Sequence, residues 1–441
     1  MCAMANGQAA RHLMRRLPRR IVLLLHQVGR LADEKGVALY LVGGVVRDLL
    51  LKRQNWDLDL TVEGDGVAFA RLVADRYGAG LALFERFGTA RLTLHDGLKV
   101  DIASARRESY AKPAALPDVQ PASLQEDLYR RDFTINAMAI QLNAARFGQL
   151  HDPYDGQHDL RAKTIRVLHE GSFIDDPTRI FRAIRFTERF GFHLEPKTRR
   201  LLEQAAATDM VAKLSGPRLA NEVFLLMQER NPTRAMGSLT RLNLLRFLHP
   251  RLRHGKQAHH LAATLPRALA WWKQRCPGKP VDRALLGLMA LLSDSGPSIL
   301  RRVAQRLQLS TLQATSVEWA GDKTTRAAKI LLGRSDIRPS QVYHLLVNMP
   351  DEALVLLVGR ALACGDVAGI RGLKRRLVRF LKHDRWVMTI VKGEDLKQLG
   401  LKPGPHFKTI LNRLLDKRLD GVVTTKSEEW ALALRLVRHS A

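Results

Sequence analysis

Apolar and polar positions follow two rhythms along the 441-residue chain. Up to about residue 142, short apolar runs alternate with turn residues. Leu39 to Val42, Leu81 to Phe84, Thr89 to Leu94 and Leu98 to Ile102 have the length and pattern of strands, and Gly97 in HDGLK takes the place of a hairpin turn. Residues 20 to 36 and Val67 to Tyr77 repeat apolar residues at helical spacing, the first with Gly36 near its end. Beyond about residue 160 the strand signals thin out. Amphipathic segments take over at Leu201–Ala206, Leu219–Glu229, Ala284–Leu292, Ile299–Leu307 and Glu352–Leu362. This pattern predicts an α+β chain, with a mixed-sheet head followed by all-helical segments. Glycine and proline clusters near 276–280, 294–297 and 402–405 mark breaks between helices. No apolar run approaches the roughly 18 residues of a spanning helix, so no membrane partner is expected.

The head is organised around Leu39 to Leu60, LYLVGGVVRDLLLKRQNWDLDL. Gly43 and Gly44 end the first strand and allow the backbone to turn tightly and approach a ligand. Val45 to Leu51 reads as a short helix carrying Arg47 and Asp48. Asp57 and Asp59 come next on a second strand-like run, where a spacing of two puts both carboxylates on one face. Trp56, Leu58 and Leu60 are then expected to face a core. Paired carboxylates beside a glycine turn point to Mg²⁺ and phosphate, because Mg²⁺ takes hard oxygen ligands and commonly shares them with substrate phosphates. A DxD is also an ordinary pair of solvated strand residues, so further motifs must decide. A dinucleotide fold is excluded, since GGVVRD is not GxGxxG and no acidic residue stands at the required distance.

Three later stretches add chemistry. RRDFTINA, Arg130 to Ala137, opens an apolar segment with two arginines, which suit a triphosphate because they stay charged and bind it bidentately. HDPYDGQHDL, His151 to Leu160, reads as a turn joining the head to the helical segments. In FIDDPTRIFRAIRFTERFGF, Phe173 to Phe192, Asp176 is a good N-cap and Pro177 a good first helical residue. Asp176, Arg179, Arg182 and Arg185 recur every three residues along one side of that helix, while Ile180, Phe181 and Ile184 form its apolar side. Asp101 in KVDIAS stands where it either joins the carboxylate pair or makes a structural ion pair.

In this order, GGVVRDLLL with DLDL, RRDFTINA, HDPYDGQHDL and FIDDPTRIFRAIRF resemble the motifs of the class II tRNA nucleotidyltransferase and bacterial poly(A) polymerase family. The resemblance implies a nucleotidyltransferase head followed by a helical neck, body and tail. It implies that Gly43, Gly44 and Arg47 seat a triphosphate, that Asp57 and Asp59 hold Mg²⁺ and act on an RNA 3′ hydroxyl, and that Arg130 and Arg131 meet phosphates. Asp132 and Asn136 would orient the ribose or the local backbone. Asp175, Asp176 and Arg179 would read the incoming base in place of a template, with Arg182 and Arg185 adding nucleotide contacts. The implied partners are the tRNA 3′ end and ATP. Members that add all of C, C and A usually carry Glu-Asp-x-x-Arg. Here Asp175 is one methylene shorter and Pro177 comes directly after the pair, which is closer to the branch adding only the terminal A and leaves CTP open. Ala105 to Tyr129 holds three prolines, reads as a long loop, and resembles the flexible loop of A-adding members. A full CCA-adding enzyme and a poly(A) polymerase are the alternatives within the family. An inactive RNA-binding scaffold has no need of Asp57, Asp59, Arg131 and Arg179.

Charge supports an RNA partner. Lys and Arg number 71 against 43 Asp and Glu, a formal net charge of +28. Arg371, Lys374, Arg375, Arg376, Arg379, Lys382 and Arg385 make a dense basic stretch suited to RNA phosphates. The first 20 residues are Arg-rich and superficially resemble a transit peptide, but Ile21 to Leu25 is too short for a secretory core. Cys2, Cys276 and Cys364 lie far apart, which suits a reducing cytoplasm and no zinc site. His95-Asp96, His151-Asp152 and His383-Asp384 lack further ligands, which excludes a phosphohydrolase. The expected divisions are a head at 20–160, a base-recognising neck at 161–255, a body at 256–386 and an RNA-binding tail at 387–441. LSGPRLANEVFLLM from Leu214 resembles the family neck, and GEDLKQLGLKPGPHFKTILNRLLDKRLDG from Gly393 resembles the tail of A-adding relatives.

Overall fold

The computed structural model describes residues 13–85, 88–109, 117–333 and 336–438. It falls into two compact units, Met1–Arg218 and Leu219–Ala441. The boundary runs through the segment expected to be the neck.

The first unit opens with α1 (Arg19–Glu34), which buries Ile21, Leu25, Val28 and Leu31 on one stripe. β1 (Ala38–Val42) leads through the glycine turn into α2 (Gly44–Leu50). β2 (Leu58–Glu63), α3 (Gly66–Tyr77), β3 (Gly80–Phe84), β4 (Thr89–Thr93) and β5 (Lys99–Ser104) come next. With β8 (Ala139–Gln141) and β9 (Leu150–His151) these strands form one mixed sheet of order β3-β4-β5-β2-β1-β8-β9. β2 is paired on both sides, antiparallel to β1 and parallel to β5, and Asp59 is the register partner of Asp101. The DxD strand is thus held in the middle of the sheet, with Leu58, Leu60 and Val62 in the core. Trp56 departs from expectation. β2 begins only at Leu58, so the strand alternation does not reach Trp56, which is exposed.

Ala105 to Tyr129 also differs from the expected loop. Arg106–Ser109 (β6) pairs antiparallel with Asp118–Pro121 (β7), and Leu124–Tyr129 forms α4 behind a Ser123/Glu126 capping box. Pro121 sits at a strand end, where it breaks nothing. The loop tip, 110–116, lies outside the described residues.

RRDFTINA runs from α4 through a 3₁₀ turn at Thr134–Asn136 into β8. Asp152 accepts from the amides of Gly156 and Gln157 and starts α5 (Gly156–Ala162). A Cβ on Gly156 would collide with the Thr134 carbonyl oxygen, so only glycine fits this crossing. Asp159 accepts from Thr134 Oγ1 and Arg166 Nε, which makes the third motif a structural joint. β10 (Thr164–Ile165) pairs with β11 (His193–Leu194) around α6 (Ser172–Asp175) and α7 (Thr178–Phe190), and α8 (Pro196–Ala207) comes after them. α9 (Gly216–Gln228) crosses the boundary between the two units.

The second unit is helical throughout its described residues, as the pattern predicts. Its helices are α10 (Pro232–Arg241), α11 (Lys256–Arg275), α12 (Arg283–Leu291), α13 (Pro297–Arg306), α14 (Thr311–Glu318), α15 (Asp322–Gly333), α16 (Pro339–Leu346), α17 (Asp351–Cys364), α18 (Val367–Lys382), α19 (Gly393–Gln398), α20 (Pro405–Leu419) and α21 (Lys426–Arg438). α17 is its buried centre, where Arg360 donates to the carbonyls of Ser293 and Ala320 and to Thr324 Oγ1. α19 to α21 close over a small core of Val391, Leu396, Ile410, Leu414, Ala433 and Val437. Among the described residues no helix is long and apolar enough to cross a membrane.

Candidate active site

Gly43 has φ +75° and ψ −133°, a conformation that disfavours any side chain. A Cβ there would lie 2.8 Å from Arg131 Nη1 and 3.7 Å from Asp59 Oδ2. A carboxylate and a guanidinium therefore converge on bare backbone. The cleft beside them, about 280 Å³, is lined by Asp59, Thr61, Arg91, Asp101, Arg130 and Arg131, with Phe84 also on its wall.

Asp59 is half-buried and Asp57 exposed just ahead of β2. Burial pushes the Asp59 carboxyl up to about 6; the Asp57 charge adds to this and Asp101 contributes further, against the opposing pull of Arg131 and Arg91. A half-buried carboxylate crowded by like charges gains from a cation, so this donor set suits a divalent metal. Asp101 does not stand open beside the pair. It accepts from Arg91 Nε on Oδ1 and from Arg91 Nη2 on Oδ2 at 2.7 Å each, a two-pronged ion pair across the β4–β5 ladder. Among the described residues no group of three or more His, Cys, Asp or Glu could hold a metal ion.

The two arginines of RRDFTINA differ. Arg130 is saturated by protein, with Nη1 on Glu108 at 2.7 Å and Nε and Nη2 on Asp127. Arg131 gives Nη2 to Asp127 at 3.0 Å, while its buried Nε has no hydrogen-bond partner and Nη1 reaches the glycine turn. Of the two, Arg131 is the arginine whose guanidinium reaches the glycine turn. Asp127 holds both guanidiniums and keeps its own carboxyl below the usual range, the two arginines outweighing the opposing effect of burial. Sequence reasoning missed Asp127, although its spacing of three and four from the arginines on a helix is a readable ion-pair signal.

Arg47 corrects the expectation that it seats a triphosphate. It is 4% exposed, pairs with Asp48, donates Nη1 to Asn136 Oδ1 at 2.6 Å and stacks against Phe186 and Phe190. Its role is to bolt the glycine turn to the second motif. Gly44 similarly backs onto Arg47 and Asn55. Asp132 and Asn136 orient backbone and helix. Asp132 accepts from the Phe133 amide, from Asn136 Nδ2 and from Arg182. Burial works against its ionised form, but Arg182, Asn136 and Arg179 win and hold the carboxyl down at about 2.

The base-reading candidates lie at the start of α7. Asp176 accepts from the amide and hydroxyl of Thr178 and from Arg218 Nη2 at 2.8 Å. The helix begins at Thr178 with Pro177 in the N-cap position, so Asp176 stands one residue ahead of the cap instead of at it, and Pro177 is not the first helical residue. Arg179 is buried, donating Nη1 to Ser172 Oγ at 2.6 Å and Nη2 to the Arg130 carbonyl. Asp175 is more open, with His169 Nδ1 3.9 Å away. Arg182 holds Asp132, and Arg185 packs against the Phe186 ring. Ser172, which takes Arg179, is a further residue the motifs did not single out, while Arg218, one of the residues carrying the neck resemblance, is the partner of Asp176.

The basic stretch forms α18. Arg371, Arg375, Arg379 and Lys382 are exposed; Lys374 lies over Trp271, Arg376 donates to the Leu331 carbonyl and Arg379 also holds Asp384. Arg371, Arg375 and Lys382 are the cations there most accessible to RNA.

Residues 39–166 match the poly A polymerase head domain family, and residues 191–255 the family described as the probable RNA and SrmB- binding site of polymerase A. The A-adding tRNA nucleotidyltransferase of Geobacter sulfurreducens is 38% identical over 434 residues, covering 96% of this chain and 48% of the relative. The chain thus spans about half the length of that relative. The A-adding tRNA nucleotidyltransferase of Halalkalibacterium halodurans is 34% identical, covering 94% of this chain and 92% of the relative. A solved complex of a CCA-adding enzyme with ATP superposes with a TM-score of 0.80 at 33% identity, covering 96% of this chain and 97% of that one.

Proposed function

We propose, for a chain that belongs to the tRNA nucleotidyltransferase family with a poly(A) polymerase head, that its reaction is the template-independent transfer of AMP from ATP to the 3′ end of tRNA in the cytoplasm. The RNA 3′ oxygen attacks the α-phosphorus, a new phosphodiester bond forms, the bond to pyrophosphate breaks, and the hydroxyl proton is lost to solvent. The single observation that carries this reading is the convergence of the Asp59 carboxylate and the Arg131 guanidinium on Gly43, where no side chain intervenes. Arg131 brings Nη1 to this turn, where it would meet the triphosphate, and Asp127 holds its Nη2. Asp57 and Asp59 would hold Mg²⁺, which when bound sharpens the attacking hydroxyl and neutralises the departing pyrophosphate. The exposed cations of α18 would hold the tRNA backbone.

Adenine as the base added is supported by how the reading residues are held. Asp176 is committed to Thr178 and Arg218, and Arg179 to Ser172 and the Arg130 carbonyl. Presenting a cytosine-reading arrangement would break these bonds. Full CCA addition is the second reading, favoured by the closeness of the fold to a CCA-adding enzyme. Labelled ATP incubated with tRNA and Mg²⁺ tests the reaction itself. Label should enter the RNA end, and chelation by EDTA should stop it. No incorporation by wild-type protein under these conditions contradicts the proposal.

A further inference from the structure

Asp57 has an unusual placement for a metal-holding residue. It precedes β2 by one residue, so its amide takes no part in the sheet ladder. That amide donates instead to Asn55 Oδ1 at 3.0 Å. The other end of the same side chain, Nδ2, donates to Asp48 Oδ2 at 2.8 Å. From Asp48 the contacts continue without a break. Arg47 gives Nε and Nη2 to Asp48 at 3.0 and 2.9 Å and Nη1 to Asn136 Oδ1 at 2.6 Å. Asn136 Nδ2 donates to Asp132 Oδ1 at 2.8 Å, and Arg182 closes the chain on Asp132 Oδ2 at 2.7 Å.

Arg47, Asp48, Asp132 and Asn136 are each at most 6% exposed, so water cannot replace a lost link cheaply. The order of donors and acceptors is also fixed. Each asparagine has an oxygen toward an N–H and a nitrogen toward a carboxylate, and both carboxylates face guanidinium groups. Such a satisfied network has few alternative arrangements, so displacement at one end is carried to the other.

We propose that Asn55 is a positioning residue for Asp57, and that the relay Asn55–Asp48–Arg47–Asn136–Asp132–Arg182, buried from Asp48 through Asp132 and more open at its two ends, ties the metal-holding carboxylate to helix α7. This rests on the reading of Asp57 as a metal ligand. Its consequence is that a nucleotide seated on α7 sets the position of the metal site through protein bonds. Metal affinity and nucleotide reading are therefore coupled. Asn55 acts on Asp57 directly, and Arg182 acts on it at a distance.

The test measures divalent-metal binding directly, by Mn²⁺ titration with electron paramagnetic resonance on RNA-free protein. The same variants are then assayed for the Mg²⁺ concentration giving half-maximal ATP incorporation. Asn55→Ala should raise both constants by about tenfold, the scale of a lost partner behind a metal ligand. The KM for ATP at saturating metal should stay near wild type. Asn55→Ser, which keeps an acceptor for the Asp57 amide, should recover most of the metal affinity. Arg182→Gln, at the far end of the relay, should also weaken Mn²⁺ binding, by a smaller factor. Circular dichroism of each variant should match wild type. Unchanged Mn²⁺ binding in Asn55→Ala overturns the positioning role, and unchanged binding in Arg182→Gln overturns the coupling. Wild-type protein that neither binds Mn²⁺ nor incorporates ATP overturns the functional reading itself, and this inference with it.

Discussion

Asp59 and Asp101 face each other as register partners across the parallel β2–β5 ladder, and Asp101 accepts from the Arg91 guanidinium on both carboxylate oxygens. This divides two carboxylates that the strand pattern treats alike. Asp57→Ala or Asp59→Ala should lower AMP addition by at least about 10²–10³-fold, the scale of losing an electrostatic element of the transition state. Asp101→Asn should stay within about tenfold of wild type, because its ion pair stands outside the proposed metal ligands. Steady-state incorporation kinetics check this. Equal losses at all three positions would show that Asp101 acts as a ligand.

Gly43→Ala tests the turn. The added methyl would sit 2.8 Å from Arg131 Nη1 at a backbone φ of +75°. Backbone strain there costs about 1–3 kcal/mol, and Arg131 must move. The expected result is a lower thermal midpoint together with a raised KM for ATP. A variant with wild-type KM would show that Arg131 does not meet the triphosphate.

Much of the head is legible in the sequence because strand runs, glycine turns and caps are local signals. Leu39–Val42, Thr89–Leu94 and the α7 start fall within a residue or two of the observed β1, β4 and α7. What stays hidden depends on which charges meet in space. Nothing local to Arg47 says that Asn136, 89 residues on, takes its guanidinium away from the cleft. The same holds for Arg91 and Asp101, which are joined by strand register. Arg130 and Arg131 look equivalent in sequence, and only the hairpin carrying Glu108 separates them. That hairpin is itself hidden, because the three prolines of the segment mask a short antiparallel pairing.

Asp132 sets the acid limb of stability. Its carboxyl is held at about 2 in the fold, against about 3.9 in an unfolded chain. A lowered acidic pKa contributes stability that is fully present above the unfolded value and is lost as pH falls through the folded one. This contribution, of order 2 kcal/mol, should therefore fade between about pH 4 and pH 2. Urea unfolding of wild type and Asp132→Asn should differ most at about pH 5, by about half as much near pH 3, and converge toward about pH 2. A gap that does not change over this range would contradict the assignment.

Arg371, Arg375 and Lys382 carry the expectation for RNA. With a formal charge of +28, tRNA affinity should fall steeply with salt. Replacing all three with Ala should weaken binding and lower the log–log salt slope by about 1 per side chain. Filter binding across a salt series measures both. An unchanged slope would place the RNA surface elsewhere.

The proposed reaction is AMP addition to tRNA already ending in CC. The direct measurement supplies purified protein with tRNA ending before the tail, after one C, or after CC, with labelled ATP and labelled CTP separately. A single A should be added to the CC end, with little CTP use on any substrate. Efficient synthesis of complete CCA on tailless tRNA would contradict A-only addition, and long A tails on unrelated RNA would contradict the tRNA assignment.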